Sequence, residues 1–279
     1  LTMKEISMRA IARIGILGAA MVALAMSAGT ASAQQCSNDG SRFNAWKAEF
    51  RQVAAANGVG SRGLAALDQS SYNTRTISAD RNQRSFRLSL NEFMQRRGAD
   101  QITQRGIRLK GQHAGLLQRI EQQYGVPPGP LLAIWGMETA FGGFLGDQNI
   151  VSAILTLTYD CRRSDFFRPH ALAALQLVDR GWLSPNARGA AHGEVGQTQF
   201  LPGNVIRFGV DGDGDGRVDL IGSVPDALAS TANFLRAHGW QRGAGYQPGE
   251  PNFRAIQAWN AAGVYQQSIA IIGKRIDSR

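Results

Sequence analysis

The chain has 279 residues, 43% hydrophobic and 18% charged, which is enough apolar surface to bury a core in one large domain or two small ones. Its 33 glycines follow no three-residue period, which excludes collagen, and no repeated unit suggests a solenoid. The net charge of +9 fits either an anionic surface or polymer as partner, or a basic but otherwise ordinary protein.

At the N-terminus, Lys4, Arg9 and Arg13 precede a mostly apolar run, Ile14 to Met26, that ends in Ala31-Ser32-Ala33. A basic start, a short apolar stretch and small residues before the cut form the pattern of a secretory signal, cleaved after Ala33. The run falls short of the ~20 apolar residues of a membrane span, so no stable membrane insertion is expected after processing. Cleavage removes three basic groups and one acidic, leaving +7. Two cysteines remain, Cys36 and Cys161, an even pair that in an oxidising compartment is a disulfide candidate.

Residues 42–124 carry helical spacing at Phe43, Trp46, Phe50 and Val53, at Phe86, Leu90 and Phe93, and at Leu116, Leu117, Ile120 and Tyr124. The Arg-rich sequence from Asp68 to Arg84 is expected to be an exposed connection, and this whole section to be scaffold without a catalytic constellation. After Gly125-Val-Pro-Pro-Gly-Pro130 a helix is predicted from Leu131 to Phe141, with proline near its start where a missing amide donor costs least. Leu131, Trp135 and Glu138 share one face of it. That places the Glu138 carboxyl on an apolar stripe, where desolvation raises its pKa, or at a helix end reaching solvent. Gly142 and Gly143 stop the helix. Asp147, Asp160 and Asp165 adjoin polar segments expected to be exposed.

Further helices are predicted over Ile150–Leu157, Asp165–Arg180, Val224–His238, Asn252–Asn260 and Tyr265–Ile276, with loops and short strands between Ser184 and Gly222. Within that interval Asp211-Gly-Asp213-Gly-Asp215-Gly216-Arg-Val-Asp219 matches the first half of an EF-hand loop. Asp211, Asp213 and Asp215 supply crowded oxygen donors, Arg217 its backbone carbonyl, and Asp219 a direct or water-bridged ligand. Gly222 stands where the bidentate glutamate belongs, and Asp226 is the natural substitute if the chain loops back. The reading is a structural calcium rather than a switch.

Gly193-Glu-Val-Gly196-Gln-Thr-Gln199-Phe-Leu-Pro202 suits a loop that lets a polymer approach and be held by Gln197 or Gln199, or a turn packed on the core. His113, His170, His192 and His238 form no zinc spacing, and no serine nucleophile, P-loop or dinucleotide motif is present. The aromatic residues of the second half offer either sugar-stacking surfaces or core.

Glu138-Thr-Ala-Phe-Gly142, Gly193 to Pro202, Asn233 to Trp240 and Ala258-Trp-Asn260 occur in the order seen in lytic murein transglycosylases of the B type, which this chain resembles over about residues 40 to 276. The EF-hand-like loop falls between the second and third motifs, as in that family. The resemblance implies a mainly α, lysozyme-like α+β fold with a small loop-and-strand insertion. Residues 34–125 and 126–279 would form one continuous catalytic unit. It implies a monomer in the periplasm acting on peptidoglycan glycan strands, with no nucleic acid as partner and no cofactor for catalysis. Glu138 would be the single acid and base, protonating the glycosidic oxygen after N-acetylmuramic acid and then accepting the proton of the C6 hydroxyl as a 1,6-anhydro ring closes. Gln199 and Asn260 match the family's motifs and would position substrate, and Gln197, Phe200 and Trp259 beside them are further substrate-binding candidates.

The sequence departs from the family's pattern at Ala190, where a serine is common, at Glu194, often alanine, and at Trp259, often tyrosine. Glu194 thereby becomes a candidate second carboxylate, which keeps a hydrolytic muramidase of the same fold as an alternative. A non-catalytic, calcium-stabilised glycan binder is the other. The family often adds a glycan-binding module at the C-terminus; here the sequence ends at Arg279 after the last predicted helix, so targeting is expected from the cleft and surface charge.

Overall fold

The computed structural model describes residues 36–82 and 88–279. The expected signal segment and Phe86 lie outside these residues.

The first helices close on one aromatic nest. Helices α1 (Phe43–Ala56), α2 (Ser61–Gln69) and α3 (Thr74–Arg81) open the chain. Phe43, Trp46 and Phe50 stack along one face of α1, and Phe43 and Trp46 meet the ring of Tyr159 at 5.4 and 5.5 Å. The stretch read as an exposed connection is therefore partly helix. Asn73 caps α3 by accepting the Thr76 amide at 3.2 Å, and Asp80 near its end is buried. The signal that was misread is the cap: a run of polar residues looks like loop unless the asparagine before it is taken as a helix start.

Helices α4 (Leu90–Arg96), α5 (Ala99–Gln112) and α6 (Ala114–Tyr124) lead to α7 (Pro128–Thr139). Pro128 and Pro130 occupy the first turn of α7, where amides have no intrahelical partner. The helix is not amphipathic: Leu131, Leu132, Ala133 and Ile134 are all fully buried, so the expected single apolar stripe is replaced by burial on every side. Helix α8 (Ile150–Tyr159) is likewise buried throughout, and Asn149 caps it by accepting the Ser152 amide at 2.8 Å. Helix α9 (Ser164–Asp179) packs against α8 and α2.

Two short strands, β1 (Gln148–Asn149) and β2 (Arg188–Gly189), pair antiparallel with Gln148 opposite Gly189. Helix α10 (Pro202–Phe208) lies in the interval read as loop and strand. Helices α11 (Val224–Ala237), α12 (Phe253–Trp259) and α13 (Gly263–Asp277) complete the body. Helix α13 lies along α7 and also touches α4, α5 and α12, so the last helix joins early and late parts of the chain. Cys36 and Cys161 form a disulfide with Cα atoms 4.9 Å apart. Among the described residues no helix is long and apolar enough to cross a membrane.

Candidate active site

Glu138 is the penultimate residue of α7, and the backbone reverses directly beyond it. Ala140, Phe141 and Gly142 take φ of 49°, 59° and 75° in succession, a conformation that costs non-glycine residues energy and recurs at functional sites. Phe141 folds edge-on over Trp135 at 5.4 Å. At Gly142 a Cβ would run into the amide oxygen of Gln197, so only glycine fits. The reversal leaves Glu138 lining a cavity of about 710 Å³ together with Arg97, Glu194, Gln199, Trp259 and Asn260.

Burial pushes the Glu138 carboxyl up to about 7. The hydrogen bond from Trp259, the polar Tyr265 hydroxyl close by and the charge of Arg97 pull it down, while the nearby carboxylate of Glu194 adds to the rise. Trp259 donates its indole N–H to Oε1 at 3.0 Å. The Tyr265 hydroxyl is buried beside the same carboxyl without reaching full hydrogen-bond geometry, and its own pKa is raised by burial and by Glu138. A carboxyl titrating near neutrality can both give and take a proton there.

Three residues expected at the site line the cavity beside Glu138 and Trp259. Gln199, at φ 55°, donates Nε2 to the Gly196 carbonyl at 2.7 Å. Phe200 packs edge-on against Trp259 at 5.2 Å. Asn260 accepts the Ala262 amide through Oδ1 at 2.9 Å, in the turn just before α13. Gln197 does not line the cavity. It is buried, accepts the Trp135 indole N–H at 3.0 Å and donates to the Ile221 carbonyl at 3.2 Å, so it ties α7 to the loop instead of facing substrate.

Sequence reasoning missed Arg97 and Tyr265, which lie 41 and 127 positions from Glu138 with no local motif around them. It also missed what stands behind Glu194. The His192 amide donates to Glu194 Oε2 at 2.9 Å and its ring Nδ1 lies 3.2 Å from Oε1. On the far side His192 Nε2 is 3.7 Å from Asp80 Oδ1. Burial opposes ionisation of Asp80, but paired Arg162 and Arg163 hold its carboxyl below the usual range. Asp160, expected exposed, is buried and takes Arg81 at 2.6 Å, because α3 folds over it.

In the acidic loop, carboxylate oxygens of Asp211, Asp213 and Asp226 come within 4.8 Å of one another. Asp226 is fully buried and accepts the amides of Gly212 and Asp219 at 2.8 and 2.7 Å, so the chain does loop back onto it. Amides of Gly216, Gly214 and Asp215 hold the Asp211 carboxyl below its ordinary value. Asp215 and Asp219 lie outside this cluster, 3.7 and 3.0 Å from the Arg217 guanidinium.

Residues 42–249 match the transglycosylase SLT domain. The chain belongs to that family. It is 35% identical over 158 residues to the membrane-bound lytic murein transglycosylase B of Escherichia coli (strain K12), a match covering 53% of this chain and 44% of that relative, so less than half of the relative's length is spanned. In structure it is similar to SltB3 from Pseudomonas aeruginosa in complex with NAG-anhNAM-pentapeptide, with a TM-score of 0.79 and 27% identity over 85% of this chain and 80% of that one. The Escherichia coli lytic transglycosylase Slt35 in complex with calcium shares the fold, with a TM-score of 0.72 and 22% identity over 88% of this chain and 96% of that one.

Proposed function

We propose that the chain is a lytic transglycosylase that cuts the β-1,4 bond between N-acetylmuramic acid and N-acetylglucosamine in peptidoglycan. The observation that carries this reading is Glu138, a half-buried, desolvated carboxyl with a pKa near 7, lining a cavity with Trp259 bonded to it. Glu138 gives its proton to the glycosidic oxygen as the bond from C1 breaks. Its carboxylate then takes the proton of the C6 hydroxyl, whose oxygen closes on C1. The tethered hydroxyl stands in for the second carboxylate and water of ordinary glycosidases. The anhydro-muramoyl ligand of the SltB3 complex supports the same product here. Gln199, Phe200, Asn260 and Trp259 line the path of the strand.

Residues 34–125 and 126–279 act as one unit in this reading, working in the periplasm, where the Cys36–Cys161 bridge is stable. Asp211, Asp213 and Asp226 would hold a calcium ion whose charge offsets their mutual repulsion, with Asp215, Asp219 and the Arg217 carbonyl as further ligands within reach of a local rearrangement. The ion's part is to brace the loop, not to react.

A hydrolytic muramidase of the same fold is the second reading, favoured by Glu194 in the same cavity with His192 and Asp80 behind it. Mass spectrometry of digested sacculi decides between them, since anhydro and reducing ends differ by one water. Anhydro ends alone support the main reading, reducing ends alone overturn it, and no soluble product from wild type would leave a binding protein.

A further inference from the structure

Trp259 closes α12, and its ring is wedged edge-on between Phe200 at 5.2 Å and Phe234 at 5.0 Å. From that fixed position its indole N–H meets Oε1 of Glu138 at 3.0 Å. An indole nitrogen donates and never accepts. Oε1 must therefore be the acceptor whether the carboxyl is charged or neutral. In a neutral carboxyl the carbonyl oxygen is the better acceptor, so the proton is left to Oε2.

We propose that Trp259 is a positioning residue that makes Oε2 the working oxygen of Glu138, an inference that rests on the transglycosylase reading. Oε2 releases its proton to the glycosidic oxygen as the C1–O bond breaks. The same atom, now bare while Oε1 stays engaged, receives the proton of the C6 hydroxyl as the C6 oxygen bonds to C1. Acid and base are then one atom in one place, and the carboxyl does not rotate between the half-reactions.

The other groups around Glu138 do not impose this choice. The Tyr265 hydroxyl, from α13, turns to donate or accept. Arg97, just after α4, lies over the rings of Phe93 and Tyr265 at 5.5 and 5.6 Å and favours the carboxylate by charge alone. Glu194, from the loop before α10 and backed by His192, disfavours it by charge alone. Only a fixed one-way donor distinguishes the two oxygens.

The test compares wild type with Trp259→Phe, which keeps an aromatic ring between Phe200 and Phe234 but has no donor. A second variant carries 3-benzothienylalanine at 259, the isostere with sulfur in place of N–H, in case the smaller ring disturbs packing. The expected result is a kcat lower by about tenfold or more, a loss larger than any accompanying rise in KM, as for a lost bond to a charged group. The alkaline limb of the kcat/KM profile moves upward, because the ionised form has lost a donor. Without substrate, the titration of 13C-labelled Glu138 moves up in the same direction.

Unchanged kcat and unchanged titration in both variants overturn the proposal. So does a raised KM with an unmoved pH profile, which would make Trp259 a sugar contact only. If wild type releases no anhydro product while the titration still moves, the reading of the reaction fails and the positioning of Glu138 by Trp259 stands.

Discussion

The hydroxyl of Thr139 donates to the backbone carbonyl of Gln197 at 2.5 Å, fastening the residue after Glu138 to the loop that carries Gln199. The same oxygen accepts the Gly142 amide at 2.9 Å, so one buried hydroxyl holds both the loop and the reversal beyond α7. Thr139→Val keeps the shape and leaves both backbone groups short of a partner. It is expected to cost about 1–3 kcal/mol in urea unfolding, while Thr139→Ser stays within about 1 kcal/mol of wild type.

Glu138 links activity to stability in opposite senses. Its ordinary pKa of 4.5 rises to about 7 in the fold, so between those values the unfolded chain is charged first and stability falls as pH increases. The shift sets a ceiling of about 3 kcal/mol. Glu138→Gln has no such loss. It is expected to match wild type at about pH 4 and to be the more stable protein at about pH 8, while releasing no muropeptides at either. Equal unfolding curves at the higher pH would contradict the burial argument. The same pKa places the alkaline limb of wild-type activity near 7, since the acid must hold its proton.

Glu194 raises the Glu138 pKa through its charge. Glu194→Gln is therefore expected to move the alkaline limb of activity downward. Digestion in 18O-water gives the second readout: label at reducing ends in wild type that disappears in the variant would assign a hydrolytic fraction to Glu194. Label that persists would assign it elsewhere.

Chelation is expected to lower the melting temperature if Asp211, Asp213 and Asp226 hold calcium. An ion present at a hundredfold over its Kd stabilises by about 2.7 kcal/mol, which for a domain of this size is roughly 5–10 °C. Asp226→Asn should remove most of the difference between chelated and calcium-loaded protein. A melting temperature indifferent to both ion and chelator would reject the site.

The helices were legible where apolar spacing announced them, and α3 and α10, which are short and polar or proline-led, were not. Around Glu138 the prolines, the glycines and the residue order located the end of α7 within two positions. What periodicity could not show was that α7 is buried on every side, because a helix wholly inside the body has no polar face to mark its orientation. The cleft was half legible. Gln199, Phe200, Trp259 and Asn260 sit in short motifs, whereas Arg97 and Tyr265 arrive through the packing of α4 and α13 against α7. The burial of Gln197 was not legible for a related reason: a glutamine in a glycine-rich loop reads as accessible, and its bond from the Trp135 indole N–H comes only with the packing of the loop on α7.

The turn at Cys161 gathers three fastenings in four residues. Asp160 takes Arg81, Cys161 takes Cys36, and Arg162 with Arg163 takes Asp80. Through His192 that turn reaches Glu194, whereas Glu138 is held in place by hydrocarbon and aromatic neighbours and by Trp259. The cleft thus has an ionic, covalently pinned flank and a close-packed one. Reducing the bridge is expected to slacken the first, and methylene-sized voids the second, so the two flanks can be loosened separately by experiment.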